Sequence, residues 1–186
     1  MKEFKYCSKK RTHERIKAAF AELLAEKKAL NKITVAELAE KAEVTRGTFY
    51  AHYNNIFEVA EELENDFISV LDSSAEEMSS IEDFPIYFHK IFTFLSEHEE
   101  LYRQLLMSDA PLVFIAKLNH QIEKTIKETL REHSINKPML DLDIAFFTDG
   151  ATYMLLKYFR DEITLSLDEI EWYLKQRIVE MFLKDL

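Results

Sequence analysis

The apolar residues of this chain recur at helical spacing along most of its length. The first such run occupies positions i, i+3, i+4, i+7 and i+8, namely Ile16, Ala19, Phe20, Leu23 and Leu24. This spacing is typical of one face of an amphipathic helix, and it predicts a helix from about Thr12 to about Lys28.

Two short helices are predicted next, because each has its own start signal. Thr34 followed by Glu37 is a capping box, in which a hydroxyl and a carboxylate satisfy two backbone N–H groups. It predicts a helix over about residues 35–42. Thr45 has the residue type of an N-cap, and a second short helix should run from there to about His52.

Longer helices are predicted for the rest of the chain. Asn55 followed by Glu58 is another start signal, and the apolar spacing after it continues to Leu71. The polar run Asp72–Ser74 indicates a fraying end. Further helices are predicted near residues 84–97, 98–107, 110–133, 139–160 and 167–184.

These elements predict an all-α fold with two domains. Residues 1–55 should form an N-terminal three-helix DNA-binding domain of the helix-turn-helix kind, because a helix precedes two short helices joined by a tight break. Residues 56–186 should form a larger helical domain.

The last two predicted helices carry apolar residues on every side. A helix that is apolar all round needs burial all round, and a domain of this size leaves its second face without a partner. We therefore expect a homodimer with a four-helix interface; the alternative is that both helices lie deep in the core of a monomer. The interface residues expected are Phe147, Ala151, Leu155, Tyr173, Leu174, Ile178, Met181 and Phe182.

The composition excludes several other classes of protein. Two glycines and three prolines in 186 residues disfavour turn-rich β folds and glycine-rich nucleotide loops. A single cysteine excludes a disulfide within the chain, and no two histidines have the i, i+4 spacing of a helical metal site. No nucleophile motif, Walker loop or dinucleotide fingerprint is present. We expect no enzyme activity, no cofactor and no metal.

The charge is unevenly distributed along the chain. Residues 1–55 hold twelve Lys and Arg against seven Asp and Glu, a net of +5, whereas the remaining residues carry −15. A basic N-terminal segment followed by an acidic remainder favours a polyanion as the binding partner of the N-terminal segment. No signal-peptide pattern follows the basic N-terminus, and the longest apolar run is Leu112–Ala116. We expect a cytoplasmic protein without membrane association.

The stretch VTRGTFYAHYNN, residues 44–55, carries the chemistry. Phe49 and Tyr53 lie four residues apart and share a helix face, so they should pack inward. The side chains then expected outside are Thr45, Arg46, Thr48, Tyr50 and His52. They are hydrogen-bonding groups that suit phosphates and base edges, whereas a merely solvated helix would carry Glu and Lys. Gly47 would let the start of this helix approach DNA closely.

Residues from about 12 to 60 resemble the DNA-binding domain of the TetR/AcrR family of transcriptional regulators. The segments ITVAELAEKAEVTRGTFYAHYNN and FEVAEEL carry the resemblance, while LYRQLL and DGATYMLLKYF are similar to the C-terminal part of a subgroup. The family implies about nine helices, a homodimer, and a C-terminal ligand pocket that controls operator binding.

The resemblance also implies roles for single residues. Thr34 becomes a phosphate contact, Arg46 the main base reader among the groove-facing residues, and Tyr50 and His52 phosphate contacts. The ligand pocket would be lined by some of the large residues Phe88, Phe92, Tyr102, Met107, Phe114 and Tyr153, which could equally be plain core.

Two positions depart from the family pattern. The family usually has glycine between the two short helices, and this chain has Glu43 there, which predicts a strained backbone. The family often has a phosphate-binding lysine after the asparagine pair, and this chain has Ile56.

The sequence leaves two functional hypotheses. The first is a dimeric repressor that a small-molecule ligand releases from a palindromic double-stranded DNA operator. The alternative is a DNA-binding activator or adaptor that a protein partner controls through the acidic C-terminal body.

Overall fold

The structure is a computed structural model that describes residues 2–107, 111–132 and 139–183, and it contains no β-strand within those ranges. The α-helices are α1 (Lys2–Lys27), α2 (Val35–Lys41), α3 (Arg46–Tyr50), α4 (Ile56–Glu76), α5 (Phe84–Glu97), α6 (Glu99–Met107), α7 (Pro111–Glu132), α8 (Leu140–Phe159) and α9 (Leu167–Ile178). A π-helical turn, Val179–Leu183, follows α9. The predicted all-α fold is confirmed.

Two helix ends differ from the prediction. Helix α1 begins at Lys2, about ten residues earlier than expected. The prediction missed these residues because they have no apolar periodicity, although many of them are good helix formers. Helix α4 continues to Glu76, through the polar run interpreted as a fraying end. Ser74 in that run is buried, so packing stabilises the last turns of α4 where composition alone does not.

The chain divides into two compact units, the first being Met1–Asp66 with Glu100–Pro111. Its core is formed by apolar residues from each of α1 to α4: Ile16, Phe20, Leu24, Leu38, Phe49, Val59 and Leu63. From α6, the Tyr102 hydroxyl donates a hydrogen bond to the Leu63 carbonyl at 3.0 Å. This unit therefore extends past the predicted domain boundary at residue 55.

The second unit comprises Phe67–Glu99 and Leu112–Leu186. Within it, α9 packs against both α5 and α8. The rings of Phe88 and Phe147 have centroids 5.9 Å apart, and those of Phe147 and Phe182 are 6.1 Å apart. Aromatic side chains from α5, α8 and the final turn thus form one continuous core.

Part of the predicted dimer interface lies in this core. Five of the residues expected to face a second copy are buried inside the unit: Phe147, Ala151, Leu174, Ile178 and Phe182. Phe147 and Ala151 lie on one face of α8, and Leu174 and Ile178 on one face of α9. Packing within the unit already covers these faces. Tyr173 is exposed, and Leu155 and Met181 are half-buried. The apolar residues that α8 exposes lie on its other side.

Candidate nucleic-acid interface

The turn between α2 and α3 contains the residue that departs from the family pattern. Glu43 has φ of 51°, in the left-handed region, which confirms the strain expected there. The Val44 N–H donates to the Ala39 carbonyl at 2.9 Å, and the Glu43 N–H donates to the Glu40 carbonyl at 3.0 Å. These two bonds are a Schellman motif, in which the left-handed position is usually glycine.

Arg15 from α1 holds this turn. Its Nη2 donates to the Glu43 carbonyl oxygen at 2.9 Å and to Glu43 Oε2 at 2.8 Å. A glycine could offer only the first of these bonds. The side chain of Glu43 thus adds a contact that offsets part of the roughly 1–2 kcal/mol cost of a left-handed non-glycine residue.

Helix α3 has an inner and an outer side. Phe49 and Tyr53 are buried, as the spacing predicted, whereas Arg46 and Gly47 are exposed and Tyr50 is 57 % exposed. The helix starts at Thr45, whose hydroxyl accepts a hydrogen bond from the Thr48 N–H at 2.9 Å. The predicted orientation of α3 is confirmed; the contacts of these residues with DNA stay predictions.

His52 is less exposed than expected for a residue facing a phosphate. It is half-buried, and its Nδ1 lies 2.9 Å from Nε2 of His13 in α1. Nδ1 of His13 lies 2.9 Å from the Glu62 carboxylate of α4 and 2.8 Å from the Tyr53 hydroxyl. This cluster links the end of the helix-turn-helix to α1 and α4. His52 therefore makes a structural contact within the unit and is also partly exposed.

Thr34 forms the predicted capping box at the start of α2. The Glu37 N–H donates to Thr34 Oγ1 at 3.3 Å, and the Thr34 N–H donates to Glu37 Oε2 at 3.1 Å. Lys27 Nζ donates to Glu37 Oε1 at 2.6 Å. The Lys27 ammonium, followed by the Thr34 donors, lowers the pKa of Glu37 to about 2. A phosphate at Thr34 would therefore have to share this helix start with a carboxylate.

The lowered pKa of Glu37 predicts a stability effect at acid pH. Because the folded-state pKa lies below the ordinary value of 4.5, the carboxylate stabilises the fold above that value and loses its effect as the pH falls toward about 2. Glu37→Gln should therefore lower the melting temperature at neutral pH, and the difference from wild type should shrink below about pH 4. Thermal melts followed by circular dichroism across this range measure it.

Glu61→Gln is the matched control for this titration, since Glu61 is an exposed glutamate on α4. Its effect should be small at every pH. A melting-temperature difference for Glu37→Gln that is constant from neutral to acid pH contradicts the assigned role of Glu37.

The start of α4 lacks the phosphate-binding lysine of the family pattern. Ile56 at that position is buried, so no side chain there reaches the surface. The Glu58 N–H donates to Asn55 Oδ1 at 3.1 Å, and the Asn54 N–H donates to Glu58 Oε2 at 2.7 Å. Ile56 thus places a core residue where the family pattern has a charged surface contact. The side chains of Asn55 and Glu58 cap the start of α4.

The six residues of which some were predicted to line a ligand pocket have different surroundings. Phe88, Phe92 and Phe114 are buried in the second unit, and Tyr102 is buried in the first. Met107 and Tyr153 are exposed.

Tyr153 lines a mostly apolar groove of about 480 Å³ between α7 and α8. Phe146 and Gly150 of α8 line the same groove. At its rim, Asn119 Nδ2 donates to Asp149 Oδ1 at 2.7 Å. The groove is therefore an exposed surface feature of α8 and α7.

The capped α3 after a tight turn, followed by a larger helical unit, is the arrangement found in helix-turn-helix transcriptional regulators. Residues 16–63 match the family described as bacterial regulatory proteins of the tetR family, and residues 82–180 match the family described as transcriptional regulator C-terminal region. The chain belongs to the TetR family of transcriptional regulators.

Individual relatives agree with this assignment. The uncharacterized HTH-type transcriptional regulator YxbF of Bacillus subtilis (strain 168) is 42% identical over 45 residues, a match that spans 24% of this chain and 12% of that protein. In the described residues, no helix is long and apolar enough to cross a bilayer.

Three solved structures share the fold. The fatty acid degradation regulator FadR of Bacillus halodurans has a TM-score of 0.65 at 16% identity, over 93% of this chain and 95% of that one. FadR of Thermus thermophilus, a TetR-family repressor in complex with lauroyl-CoA, has a TM-score of 0.59 at 19% identity, over 92% and 95%. The dihydroxyacetone kinase operon activator DhaS has a TM-score of 0.58 at 19% identity, over 91% and 93%.

Proposed function

We propose that this regulator binds a palindromic double-stranded DNA operator as a homodimer, represses transcription, and is released by a small-molecule ligand. The outer surface of α3 supports the proposal. Arg46, Gly47 and Tyr50 are exposed on a short helix whose start is capped by Thr45. No acidic residue occurs between Val44 and Tyr53. Such a surface presents donors to phosphates and to base edges and lacks like-charge repulsion.

Arg46 is the residue that we assign to base recognition. Its side chain is exposed in the first turn of α3, where a recognition helix enters the major groove. An arginine there can donate two hydrogen bonds to O6 and N7 of a guanine, which no other base pair accepts in the same geometry. Thr45 and Thr48, whose hydroxyl oxygens lie 2.9 Å apart, would contribute shorter-range contacts beside it.

Arg46→Ala should reduce affinity for the preferred operator by about 1–3 kcal/mol for each half-site it reads. Selection of bound sequences from random DNA with the wild-type protein first identifies that operator and its symmetry. Fluorescence anisotropy with the selected duplex and with single-base variants then measures the loss. The variant should also discriminate less at the guanine position.

Arg160→Ala is the matched control, because it removes the same charge from an exposed site at the end of α8. It should leave the affinity close to wild type. Equal affinity of Arg46→Ala and wild type for the selected operator would falsify the role given to Arg46. Failure to enrich any palindrome would count against the dimeric operator as a whole.

The exposed side of α8 supports the homodimer. Leu142, Phe146, Gly150 and Tyr153 follow one another at spacings of three or four residues, and the three large side chains are each more than half exposed. A second copy would cover this stripe and bring two α3 helices to two half-sites about one DNA turn, or a multiple of it, apart.

Helix α9 adds Trp172 and Tyr173, which are 64 % and 42 % exposed. Aromatic side chains of this kind are enriched in protein interfaces. Two helices from each copy would then form the four-helix interface, and α8 would contribute a different face from the one predicted from the sequence.

The charge of the chain supports an alternative, in which the protein is an activator that a protein partner controls. Residues 56–186 carry a net charge of −15, which is unfavourable against DNA and suits a basic protein surface. The operon activator DhaS shares the fold. Transcription in vitro from the selected operator distinguishes the two, because a repressor lowers transcript yield when it is added and an activator raises it.

A further inference from the structure

The second unit contains a polar cavity of about 250 Å³, separate from the groove on α8. It lies between the last turns of α4, the segment after that helix, and the middle of α7. The residues that line it are Asp72, Ala75, Glu76, Met78, Ser79, Ser80, Gln121, Lys124, Thr125, Glu128 and Thr129. All of them belong to the second compact unit.

The walls of this cavity carry an excess of negative charge. Asp72, Glu76 and Glu128 contribute carboxylates, and Lys124 contributes the one ammonium group among the lining residues. The remaining net charge of −2 favours a positively charged occupant.

Three side-chain hydrogen-bond donors of the walls are already used. The Thr125 hydroxyl donates to the Gln121 carbonyl at 3.1 Å, and the Thr129 hydroxyl donates to the Thr125 carbonyl at 2.9 Å. The Gln121 amide nitrogen donates to the Asp72 carboxylate. What these groups still offer to an occupant is lone pairs, so the cavity is rich in acceptors.

The nearby segment shows the same pattern. The N–H groups of Ser79 and Ser80 donate to Asp83 Oδ2 at 2.8 and 3.0 Å. Backbone donors that could bind an anion at this turn are therefore occupied by a carboxylate of the protein itself. An anionic ligand would meet repulsion from the walls and no free backbone donor at these two residues.

A buried hydroxyl lies behind Thr125, which is one of the wall residues. Tyr87 of α5 is 1 % exposed, and its hydroxyl group has no hydrogen-bond partner at bonding geometry among the described residues. Burial raises the pKa of this hydroxyl above its ordinary value; the Thr125 side chain acts against that rise and the Asp72 charge adds to it. Both residues line the cavity. An unsatisfied buried hydroxyl is unfavourable, and such groups are often kept for a ligand or an ordered water.

We propose that this cavity binds a small organic cation with two or more hydrogen-bond donors, a short aliphatic diamine in chemical class, and that the cation is the effector of the regulator. The effector role rests on the proposed function, whereas binding itself does not. The volume lies below the range of drug-sized pockets and suits a molecule of a few carbon atoms. A long acyl chain would be a poor fit, because charged side chains line this cavity.

Isothermal titration calorimetry on the full chain tests the binding with three four-carbon probes of different charge: diaminobutane, butanediol and succinate. Diaminobutane should bind, butanediol should bind at least about tenfold more weakly because it lacks charge, and succinate should show no heat of binding. Glu128→Gln keeps the size of the side chain and should weaken diaminobutane about tenfold while leaving butanediol unchanged. Glu97→Gln, an exposed glutamate at the end of α5, is the control and should change neither.

Tyr87→Phe provides a second variant that does not depend on surface charge. Removal of the unpartnered hydroxyl should leave the melting temperature of the free protein the same or higher, and diaminobutane should raise that temperature less than in wild type. A lower melting temperature of the free variant would show that the hydroxyl already has a structural partner, which contradicts its part in the site.

Operator binding separates this proposal from the proposed function. If diaminobutane binds the protein and shifts its affinity for the selected operator, both stand. Three results would overturn the cavity proposal while operator binding stands. They are that no probe binds, that succinate binds best, or that Glu128→Gln has no effect on the affinity for diaminobutane. If diaminobutane binds and no operator is found, the site stands and the proposed function fails.

Discussion

Gly47→Leu should weaken binding to the operator by roughly 30-fold or more while the protein remains folded. Gly47 is exposed in the first turn of α3, and a Cβ atom built on it would meet only Thr45 Oγ1, at 3.7 Å. Its φ is not positive, so a larger residue can adopt the same backbone. The free protein therefore has room for the side chain. A glycine in a helix costs up to about 1 kcal/mol relative to alanine, so its replacement should not lower stability.

DNA supplies the steric limit that the free protein lacks. A leucine at this position would stand between the start of α3 and the phosphates or base edges that it approaches. Overpacking costs about 1–3 kcal/mol per site, and a dimer would meet this cost at both half-sites. The loss should be about 2–6 kcal/mol per dimer, or roughly 30-fold and upward in affinity.

A graded series makes the experiment on Gly47 interpretable. Gly47→Ala adds one carbon and should retain part of the affinity, with a melting temperature equal to or above wild type. Gly47→Leu should lose the affinity without losing the melting temperature. Operator affinity by anisotropy and thermal melts on the same preparations are the two measurements. Wild-type affinity in Gly47→Leu removes close approach as the explanation for this glycine, and joint loss of stability and affinity shows a folding role instead.

Phe146→Asp should convert the protein into a folded monomer that binds the operator poorly. Phe146 is 77 % exposed on α8, so its replacement removes little packing within the chain. The residue lies one turn before Gly150, where an added Cβ would meet nothing within 4 Å. A large ring beside an open notch on a helix face suits close packing against a second helix. A carboxylate in that interface would be buried without a partner, at a cost of several kcal/mol.

Loss of the dimer should reduce operator affinity toward non-specific binding. A monomer contacts one half-site, so the contribution of the second is lost, roughly 10³-fold or more in affinity. Sedimentation equilibrium gives the mass of the variant, and anisotropy gives its affinity. Ile86→Asp is the matched control, because Ile86 is exposed to a similar degree, 57 %, on α5. A dimeric Phe146→Asp with normal affinity would place the interface elsewhere on the chain.

Local sequence was sufficient for the elements and for the orientation of α3. The capping boxes, the i, i+4 pair of Phe49 and Tyr53, and the helix spacings depend on residues within one or two turns of each other. Each therefore leaves a short-range pattern that can be read in one dimension. The strained conformation of Glu43 was predictable for a related reason, since the turn needs a left-handed residue whatever occupies it.

The partners of those elements were not predictable. Arg15 reaches Glu43 across 28 positions, and His13 reaches Glu62 across 49. No spacing rule relates residues so far apart, so the device that holds the strained turn and the cluster around His52 were missed. The sequence carried only an indirect signal of these contacts, namely that the polar residues His13 and Arg15 lie beside the apolar stripe of α1.

The sequence by itself determined that α8 and α9 are apolar on more than one side, that the chain is helical, and that the outer residues of α3 differ from a merely solvated face. Only the tertiary structure decided which side of α8 is core. Periodicity defines the faces of a helix, but the choice between them depends on what packs there. Here Phe88 of α5 and Phe182 of the turn after α9 pack on Phe147, whereas Phe146 stays at the surface, one residue away and about 100° around the helix.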